Sequence, residues 1–256
     1  MLCLEMDSSH AAGYTSGCQS ARRVTEAWVS ANLYCACCAS HQLQQLPNNA
    51  AAVDFACPTC RATYQLKSSR KWSERRIPDA GYDAMVRALQ SDQVPNLLVM
   101  QYTPEWRVRN LMLVPSFFFS MNSVEKRKPL SPIARRAGWV GCNILLAAIA
   151  DVGKIRIISD GVHAGANPVR ESYIRVRPLA RIEPTSRGWT LEVLRLIRSL
   201  NRGTFSLHDV YRFEPELASL YPANRNVRPK LRQQLQVLRN LGLLTFRGHG
   251  QYALTL

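Results

Sequence analysis

The sequence predicts a mixed α/β domain with an embedded four-cysteine metal site, followed by a smaller domain of helices and a β-hairpin. Three features support this prediction. Helical and strand patterns alternate through the first part of the chain, two C-x2-C pairs interrupt them, and three helical patterns with a glycine-rich hairpin end the chain. We place the first domain at 1–182 and the second at 183–256, because the polar segment 181–188 has the composition of a linker.

The spacing of apolar residues assigns the elements of the first domain in order. Val24, Trp28 and Leu33 fall on one face of a helical wheel, which predicts a helix over 20–33. A second helical spacing lies within 79–92. Alternating or continuous apolar runs predict strands at 64–67, 96–102, 108–119 and 154–161, and basic or proline-rich composition predicts loops at 70–80 and 126–143.

The second domain contains three predicted helices and one hairpin. Their ranges are 189–201, 206–221 and 226–242 for the helices and 243–254 for the hairpin. Ser206 is expected to cap the second helix, because Asp209 follows three residues later, and Gly242 is expected to end the third. This order of elements is the winged helix-turn-helix arrangement.

Four of the eight cysteines have the spacing of a structural zinc site. Cys35 and Cys38 are separated by two residues, as are Cys57 and Cys60, and 18 residues lie between the pairs. Cys37 offers an alternative ligand within the first pair, and a group of buried or reactive thiols without metal is the alternative to zinc. Four thiolates leave no open position, so the ion is expected to be structural.

The chain has a formal net charge of +15, from 33 lysines and arginines against 18 acidic residues. Such a charge favours the phosphate backbone of nucleic acid as a partner, with an anionic membrane surface as the competing one. No apolar run reaches 18 residues, and the N-terminal residues lack the pattern of a signal peptide, so we expect no membrane partner. Metal-binding thiolates must stay reduced, which indicates the cytoplasm.

The segment 53–67 interleaves the second cysteine pair with polar residues typical of catalysis. Asp54 precedes the pair, and Gln65 and Lys67 follow it on a predicted strand, two residues apart and therefore on one face. An aspartate, a second oxygen ligand and a lysine are what magnesium-assisted hydrolysis of a phosphodiester requires. The alternative is a surface aspartate and a strand lysine in a basic protein.

The pattern D-x10-[E/Q]-x-K resembles that of the PD-(D/E)xK nucleases. With the interleaved cysteine site, the chain from about Ala21 to Tyr252 resembles the DpnI-like methyl-directed type II restriction endonucleases. The longer segments that support the resemblance are KPLSPIARRAGWVGCN, SRGWTLEVL, VYRFEPEL and RQQLQVLRNLGLLTFRGHGQY. The resemblance implies a PD-(D/E)xK catalytic domain and a winged-helix domain, each recognising duplex GATC with N6-methyladenine.

The resemblance also assigns roles within the catalytic segment. It implies that Asp54 and Gln65, with the backbone carbonyl of Leu66, hold a catalytic Mg²⁺ or Mn²⁺ and that Lys67 assists the attacking water. Gln65 stands where the family has a glutamate, so the ligand keeps its oxygen but loses its charge. Glu26 is expected to add a carboxylate near the metal or to be a solvated helix residue. We expect a monomer in the bacterial cytoplasm.

The residues expected to contact DNA lie in both domains. Trp139 matches the family's tryptophan near the methyladenines, and its alternative role is packing in the core. In the second domain, arginine suits guanine edges and glutamine suits adenine edges, with phosphate contact or a solvated face as the alternative for each arginine. The residues in question are Arg225, Arg228, Arg232, Gln233 and Arg247.

Two rival functions belong to other classes. One is a binding protein for methylated DNA that is weakened or inactivated as a nuclease by Gln65. The other is a zinc-containing transcription regulator in which Asp54 and Lys67 are incidental. The sequence alone leaves open the cut position, the preference for hemimethylated or fully methylated sites, the metal used in the cell, and whether both domains bind one site.

Overall fold

The computed structural model describes residues 2–47 and 52–255, and these form two compact units. The first unit comprises residues up to 74 together with 93–116 and 153–174, and the second comprises 75–92, 117–152 and 175 onward. The chain therefore passes between the units several times. The predicted domain boundary at 182/183 stays a prediction, since the second unit takes in segments from both sides of it.

The helices and strands of the described residues are as follows. The α-helices are α1 (Gly17–Asn32), α2 (Tyr82–Gln90), α3 (Ala166–Val176), α4 (Pro184–Ser199), α5 (Leu207–Tyr211), α6 (Glu214–Leu220) and α7 (Val227–Asn240). The strands are β1 (Gln44–Gln45), β2 (Phe55–Ala56), β3 (Thr63–Ser69), β4 (Ile77–Gly81), β5 (Asn96–Tyr102), β6 (Val108–Val114), β7 (Val124–Lys126), β8 (Gly141–Ile144), β9 (Ile155–Ser159), β10 (Val162–His163), β11 (Thr204–Ser206), β12 (Leu244–Phe246) and β13 (Gln251–Leu254).

The first unit is built on a seven-stranded mixed sheet in the order β1-β2-β3-β5-β6-β9-β10. Strands β3 and β5 run parallel, and the other neighbouring pairs run antiparallel. Residues of β5 and β6 are nearly all buried, as the continuous apolar run at 96–102 predicts for a central strand. Helix α1 packs against β3, where the Thr25 and Ser68 hydroxyls lie 3.1 Å apart. The predicted mixed α/β fold is confirmed.

The second unit contains the winged helix-turn-helix domain. Helices α4 and α7 pack together around Leu194, Leu235 and Leu238, which are fully buried. The hydroxyl of Thr190 donates to the Gln234 side-chain oxygen at 2.6 Å, which satisfies a buried polar pair between the two helices. Strands β11, β13 and β12 form the three-stranded antiparallel sheet of the wing.

Several predicted boundaries are wrong for identifiable physical reasons. The strand predicted over 108–119 ends at Val114, because Pro115 has no N–H to continue the ladder. Helix α4 begins at Pro184, inside the predicted linker 181–188, since proline is favoured in the first helical turn. The helix predicted over 206–221 is divided into α5 and α6, with Pro215 in the first turn of α6.

A second three-stranded sheet, β4-β8-β7, lies in the second unit. It corrects the prediction that 70–80 and 126–143 are wholly loop, because β4 and β8 fall partly within these segments and pair with each other. Neither strand has a strong local signal, so its formation depends on a partner distant in sequence. In residues 2–47 and 52–255, no helix is both long and apolar enough to cross a lipid bilayer.

Candidate active site and metal centre

Asp54 is held rigidly beside strand β3. Its backbone N–H donates to the Tyr64 carbonyl at 2.9 Å, and its carbonyl accepts from the Leu46 N–H at 2.9 Å. Its carboxylate Oδ2 accepts a hydrogen bond of 2.7 Å from the backbone N–H of Leu66. The register Phe55↔Tyr64 places Asp54 opposite Gln65 at the next position. The structure therefore brings together the two ends of the interleaved segment.

Gln65 and Lys67 belong to β3, which pairs in parallel with β5. Their side chains project to the same face because they are two residues apart in a strand. Gln65 is 9% exposed, so its amide is removed from bulk water. The Leu66 carbonyl points to the same strand edge as the Leu66 N–H, which is the edge next to Asp54. Three predicted oxygen ligands and the lysine thus lie within one short stretch of the sheet.

Helix α1 places an additional carboxylate and a cation beside this group. The Glu26 side chain is 4% exposed and accepts from Arg22 Nε at 2.6 Å and from Gln45 Nε2 at 2.8 Å. The Arg22 guanidinium also lies 4.0 Å from Asp54 Oδ1. Glu26 is therefore buried and paired, not a solvated helix residue. Arg22 and Gln45 were not identified from the sequence. Arg22 could have been found from its i, i+4 spacing to Glu26 on α1.

The donor chemistry of this cluster fits a hard divalent cation. Asp54 offers a carboxylate oxygen, Gln65 an amide oxygen and Leu66 a backbone carbonyl, while both carboxylate oxygens of Glu26 are already held by Arg22 and Gln45. Mg²⁺ binds oxygen ligands and retains several of its waters, so a partly open site with few protein ligands is suitable. Asp54 keeps 20% of its side chain exposed, which leaves room for such waters.

The four predicted zinc ligands form a compact cluster. The Sγ atoms of Cys35, Cys38, Cys57 and Cys60 all lie within 4.8 Å of one another. The closest pairs are 3.5 and 3.6 Å apart, and a tetrahedron with Zn–S bonds of ~2.3 Å has corners separated by about 3.8 Å. The four thiols are therefore positioned to bind a metal ion, and they fit structural zinc.

Cys37 is not one of the four converging thiols, although it lies next to Cys35 and its Sγ contacts the Tyr64 hydroxyl. The Tyr64 hydroxyl is 3.2 Å from Cys37 Sγ and 3.1 Å from Cys35 Sγ. Hydrogen bonding from Cys37 holds the pKa of the Cys35 thiol far below its usual range, to about 4, which favours the thiolate that zinc requires. Of the two alternatives in the first pair, the geometry favours Cys38 as the ligand.

Tyr64 links the metal centre to the candidate active site. Its side chain is 1% exposed, and it precedes Gln65 directly in β3. The second cysteine pair is joined to the residue just before the same strand, since the Cys57 N–H donates to the Ala62 carbonyl at 2.8 Å. On the other side, Arg170 of α3 donates to the carbonyls of Cys35 at 3.1 Å and of Ser40 at 2.8 Å. The cluster is thus connected to the start of β3 through Tyr64 and Ala62 and to α3 through Arg170.

The predicted DNA-contacting residues of the winged helix lie on its outer surface. Arg228, Arg232 and Gln233 are exposed on α7, Arg225 precedes α7, and Arg247 lies in the wing hairpin. Arg228 Nε is 2.7 Å from Glu214 Oε2, and Arg232 donates to the Tyr211 hydroxyl at 2.6 Å. A contact between Arg228 and a phosphate would therefore compete with an existing ion pair.

Trp139 lies in the second unit at the base of the loop between β7 and β8. Its ring packs against Gly141, where an added Cβ would come within 2.8 Å of the indole, and its Nε1 edge approaches Gly81. The Arg136 guanidinium lies 4.9 Å from the ring centroid. Trp139 is half-buried, so it contributes to packing while keeping part of its surface accessible. Its contact with methyladenine stays a prediction.

The fold and these sites define a DNA-binding α/β protein with a four-cysteine metal centre and a C-terminal winged helix-turn-helix domain. Comparison with known families agrees: residues 2–181 match DpnI, the Dam-replacing family, and residues 185–253 match the Dam-replacing HTH domain. The chain belongs to the DpnI family. This membership supports a methyl-directed restriction enzyme as its general class.

Proposed function

We propose that the protein is a type II restriction endonuclease that hydrolyses phosphodiester bonds in duplex DNA at GATC containing N6-methyladenine. The observation that supports it most directly is the hydrogen bond between Asp54 and the Leu66 N–H, which sets an acid beside Gln65 and Lys67 on β3. This is the arrangement expected of the PD-(D/E)xK nucleases. Family membership supports the methyl-directed class.

In this proposal Asp54, Gln65 and the Leu66 carbonyl hold Mg²⁺ or Mn²⁺, with Glu26 beside them. A cation held by these residues would supply Lewis acidity at the phosphate and would lower the pKa of a coordinated water. Lys67 orients the attacking water and offsets the negative charge that develops on the phosphate oxygens. The attacking water gives a proton to solvent as its oxygen bonds to phosphorus, the bond from phosphorus to the leaving sugar oxygen breaks, and a proton from solvent restores the hydroxyl on that oxygen.

The proposed selection of methylated DNA requires more than one pocket. One methyl group contributes only ~0.8 kcal/mol of transfer free energy, so a single contact discriminates weakly. Recognition by both the winged helix and Trp139 would multiply two modest preferences for the methylated base. The winged-helix residues in this proposal are Arg225, Arg228, Arg232, Gln233 and Arg247. The substantial positive charge supplies affinity for either strand without regard to sequence. The proposed site of action is the bacterial cytoplasm, with the protein as a monomer.

A second candidate is a methylated-DNA-binding protein that does not cut. It is favoured by Gln65, whose neutral amide replaces the family's carboxylate, and by the Arg22 guanidinium 4.0 Å from Asp54 Oδ1. Both features lower the negative potential at the site where a divalent cation would bind. At ~4 Å a unit charge is worth about 4 kcal/mol at an effective dielectric of 20 and less where solvent screens it.

A digestion assay separates the candidates. Plasmid methylated at GATC and the same plasmid without methylation are incubated with the protein and Mg²⁺ or Mn²⁺, and binding is measured in parallel. Cutting of the methylated plasmid alone supports the nuclease. Methyl-dependent binding without cutting supports the second candidate. Binding that is indifferent to methylation, again without cutting, would leave a zinc-containing transcription regulator and overturn both.

A further inference from the structure

The loop between β7 and β8 is a preformed projection of the second unit. Backbone hydrogen bonds close its base, from Arg127 N–H to the Gly141 carbonyl at 2.9 Å and from Leu130 N–H to the Trp139 carbonyl at 2.9 Å. At its tip the Ala134 N–H donates to the Ser131 carbonyl at 3.0 Å. That bond closes a β-turn with a proline in its second position, where the fixed φ of proline is favourable. The chain's own hydrogen bond therefore holds the tip in a defined turn.

An aliphatic side chain occupies the tip of this turn. Ile133, the third residue of the turn, is 97% exposed, the highest value among the large apolar side chains that the structure describes as exposed. Leu130, which begins the closed part of the loop, is also exposed. Turn positions usually contain Gly, Asn, Asp or Ser, since a β-branched apolar residue gains nothing there in water. A single exposed aliphatic residue is common, but one fixed at the tip of an ordered basic loop is suited to insertion into a partner.

The surroundings of Ile133 are strongly cationic. Between residues 126 and 140 the chain has five basic residues and no acidic one; they are Lys126, Arg127, Lys128, Arg135 and Arg136. They lie on both sides of the tip in sequence, and all five are exposed. Two of them also stack on rings, Arg136 on Trp139 and Lys126 on Tyr82, which orders their side chains. The loop thus combines one exposed aliphatic side chain at its tip with exposed basic side chains on both sides of it in sequence.

We propose that this loop enters a groove of duplex DNA and that Ile133 wedges between two stacked base pairs. The inference deepens the proposed function and rests on its duplex substrate. The cations would contact the phosphates on either side, while the side chain separates one base step and bends the duplex. The energy of unstacking depends on the step, so Ile133 would add specificity that favours easily deformed sites.

A lipid surface is the other partner that an apolar, basic loop could meet. Duplex DNA fits better because one aliphatic tip with a neighbouring leucine buries too little area for stable membrane binding, which needs an amphipathic face or two anchors. A base step, in contrast, accepts a single aliphatic wedge. Basic residues also precede and follow the tip in sequence, which suits contacts with phosphates on either side of one separated step.

The test uses 2-aminopurine, whose emission rises when its base is unstacked. A set of methylated GATC duplexes, each with the probe at a different position, is bound by the full-length protein with Ca²⁺ in place of Mg²⁺. We expect a several-fold rise at one step with the wild-type protein and no rise with Ile133→Ala, whose affinity should fall on the order of tenfold or less. Ile174→Ala removes another exposed isoleucine, on α3, and should behave as wild type.

The outcomes are distinct. An absent rise at every position with bound wild-type protein overturns the wedge, as does an unchanged rise with Ile133→Ala. Loss of binding to phosphatidylglycerol vesicles by Ile133→Ala, with unchanged probe emission, assigns the tip to lipid instead. Digestion of the same duplexes with Mg²⁺ tests the proposed function separately. Unstacking without cutting would contradict the proposed nuclease activity and leave the wedge supported. A wild-type protein that binds none of the duplexes overturns both.

Discussion

The carboxylate of Asp54 and the backbone N–H of Leu66 are joined by a 2.7 Å hydrogen bond across twelve residues of chain. The bond uses Oδ2 and leaves Oδ1 directed toward the neighbouring Arg22 guanidinium. One carboxylate oxygen therefore fixes the side chain and the other remains for a ligand. This division of roles underlies the following predictions about the oxygen site.

Replacing Lys67 by alanine should abolish cleavage and leave DNA affinity nearly unchanged, because in the proposed mechanism the amine acts only on the attacking water and the phosphate at the reacting centre. Cleavage of methylated plasmid and binding of a methylated duplex are measured side by side. Lys71→Ala, which removes an exposed lysine just beyond β3, is the matched control and should cut normally. Full cleavage by Lys67→Ala would remove Lys67 from the mechanism.

Replacing Gln65 by glutamate should lower the Mg²⁺ or Mn²⁺ concentration needed for half-maximal cleavage several-fold. A carboxylate adds a unit charge near the cation, worth about 1–4 kcal/mol at ~4 Å before its burial cost is subtracted. A metal titration of the cleavage rate measures the shift. Gln44→Glu places the same charge on the exposed edge strand β1, two strands away from β3, and should shift the midpoint much less. Loss of all cutting would indicate a site adapted to the amide.

Replacing Arg22 by alanine should tighten Mn²⁺ binding a few-fold in the absence of DNA. The half-exposed guanidinium repels a divalent cation at Asp54, and solvent screens part of that repulsion. Calorimetric titration with Mn²⁺ measures the change, and Arg23→Ala, the exposed neighbour on α1, controls for the loss of net charge. Weaker Mn²⁺ binding by Arg22→Ala would mean that Arg22 orders Glu26 more than it competes with metal.

Replacing Cys38 by serine should remove zinc and, with it, cleavage. Cys37→Ser should retain a stoichiometric equivalent of zinc, because Cys37 is not one of the four cysteines whose sulfur atoms converge. Elemental analysis of the two purified variants measures the difference. If Cys37→Ser also lost zinc, the two-residue spacing would not be what selects the ligand.

Replacing Ser206 by alanine should destabilise α5 by about 1 kcal/mol, because its hydroxyl accepts the Asp209 N–H while Asp209 accepts the Ser206 N–H. Amide exchange at Asp209 measures the loss, and Ser172→Ala in α3 is the control. The backbone hydrogen bond from Ser206 lowers the pKa of Asp209, so its stabilisation is present above about pH 4 and disappears as pH falls through the lowered value. An exchange rate that is unchanged in Ser206→Ala would contradict this role.

The elements predicted correctly from sequence are those with strong local signals. Strand β5 follows from an apolar run between two prolines, and the four-thiol cluster follows from its spacing. The sequence did not predict that the chain leaves the first unit and returns to it. The segments that enter the second unit contain β4 and β8, which form because they pair with each other. In the candidate site, the hydrogen bond from Leu66 and the approach of Arg22 are tertiary contacts without a signature in the local sequence.

On one strand, Tyr64 contacts Cys35 of the four-thiol cluster and directly precedes Gln65, the proposed oxygen ligand of a hard cation. A thiophilic ion such as Cd²⁺ would bind the four cysteine thiolates and not the oxygen ligands, because soft metal ions prefer sulfur. The larger radius of Cd²⁺ would move the four sulfur atoms outward, so that Cys35 would press against the Tyr64 hydroxyl. Because Gln65 is bonded directly to Tyr64, a shift of Tyr64 would also move Gln65. Cd²⁺ would thus alter the position of Gln65 without replacing the divalent cation at the proposed oxygen site.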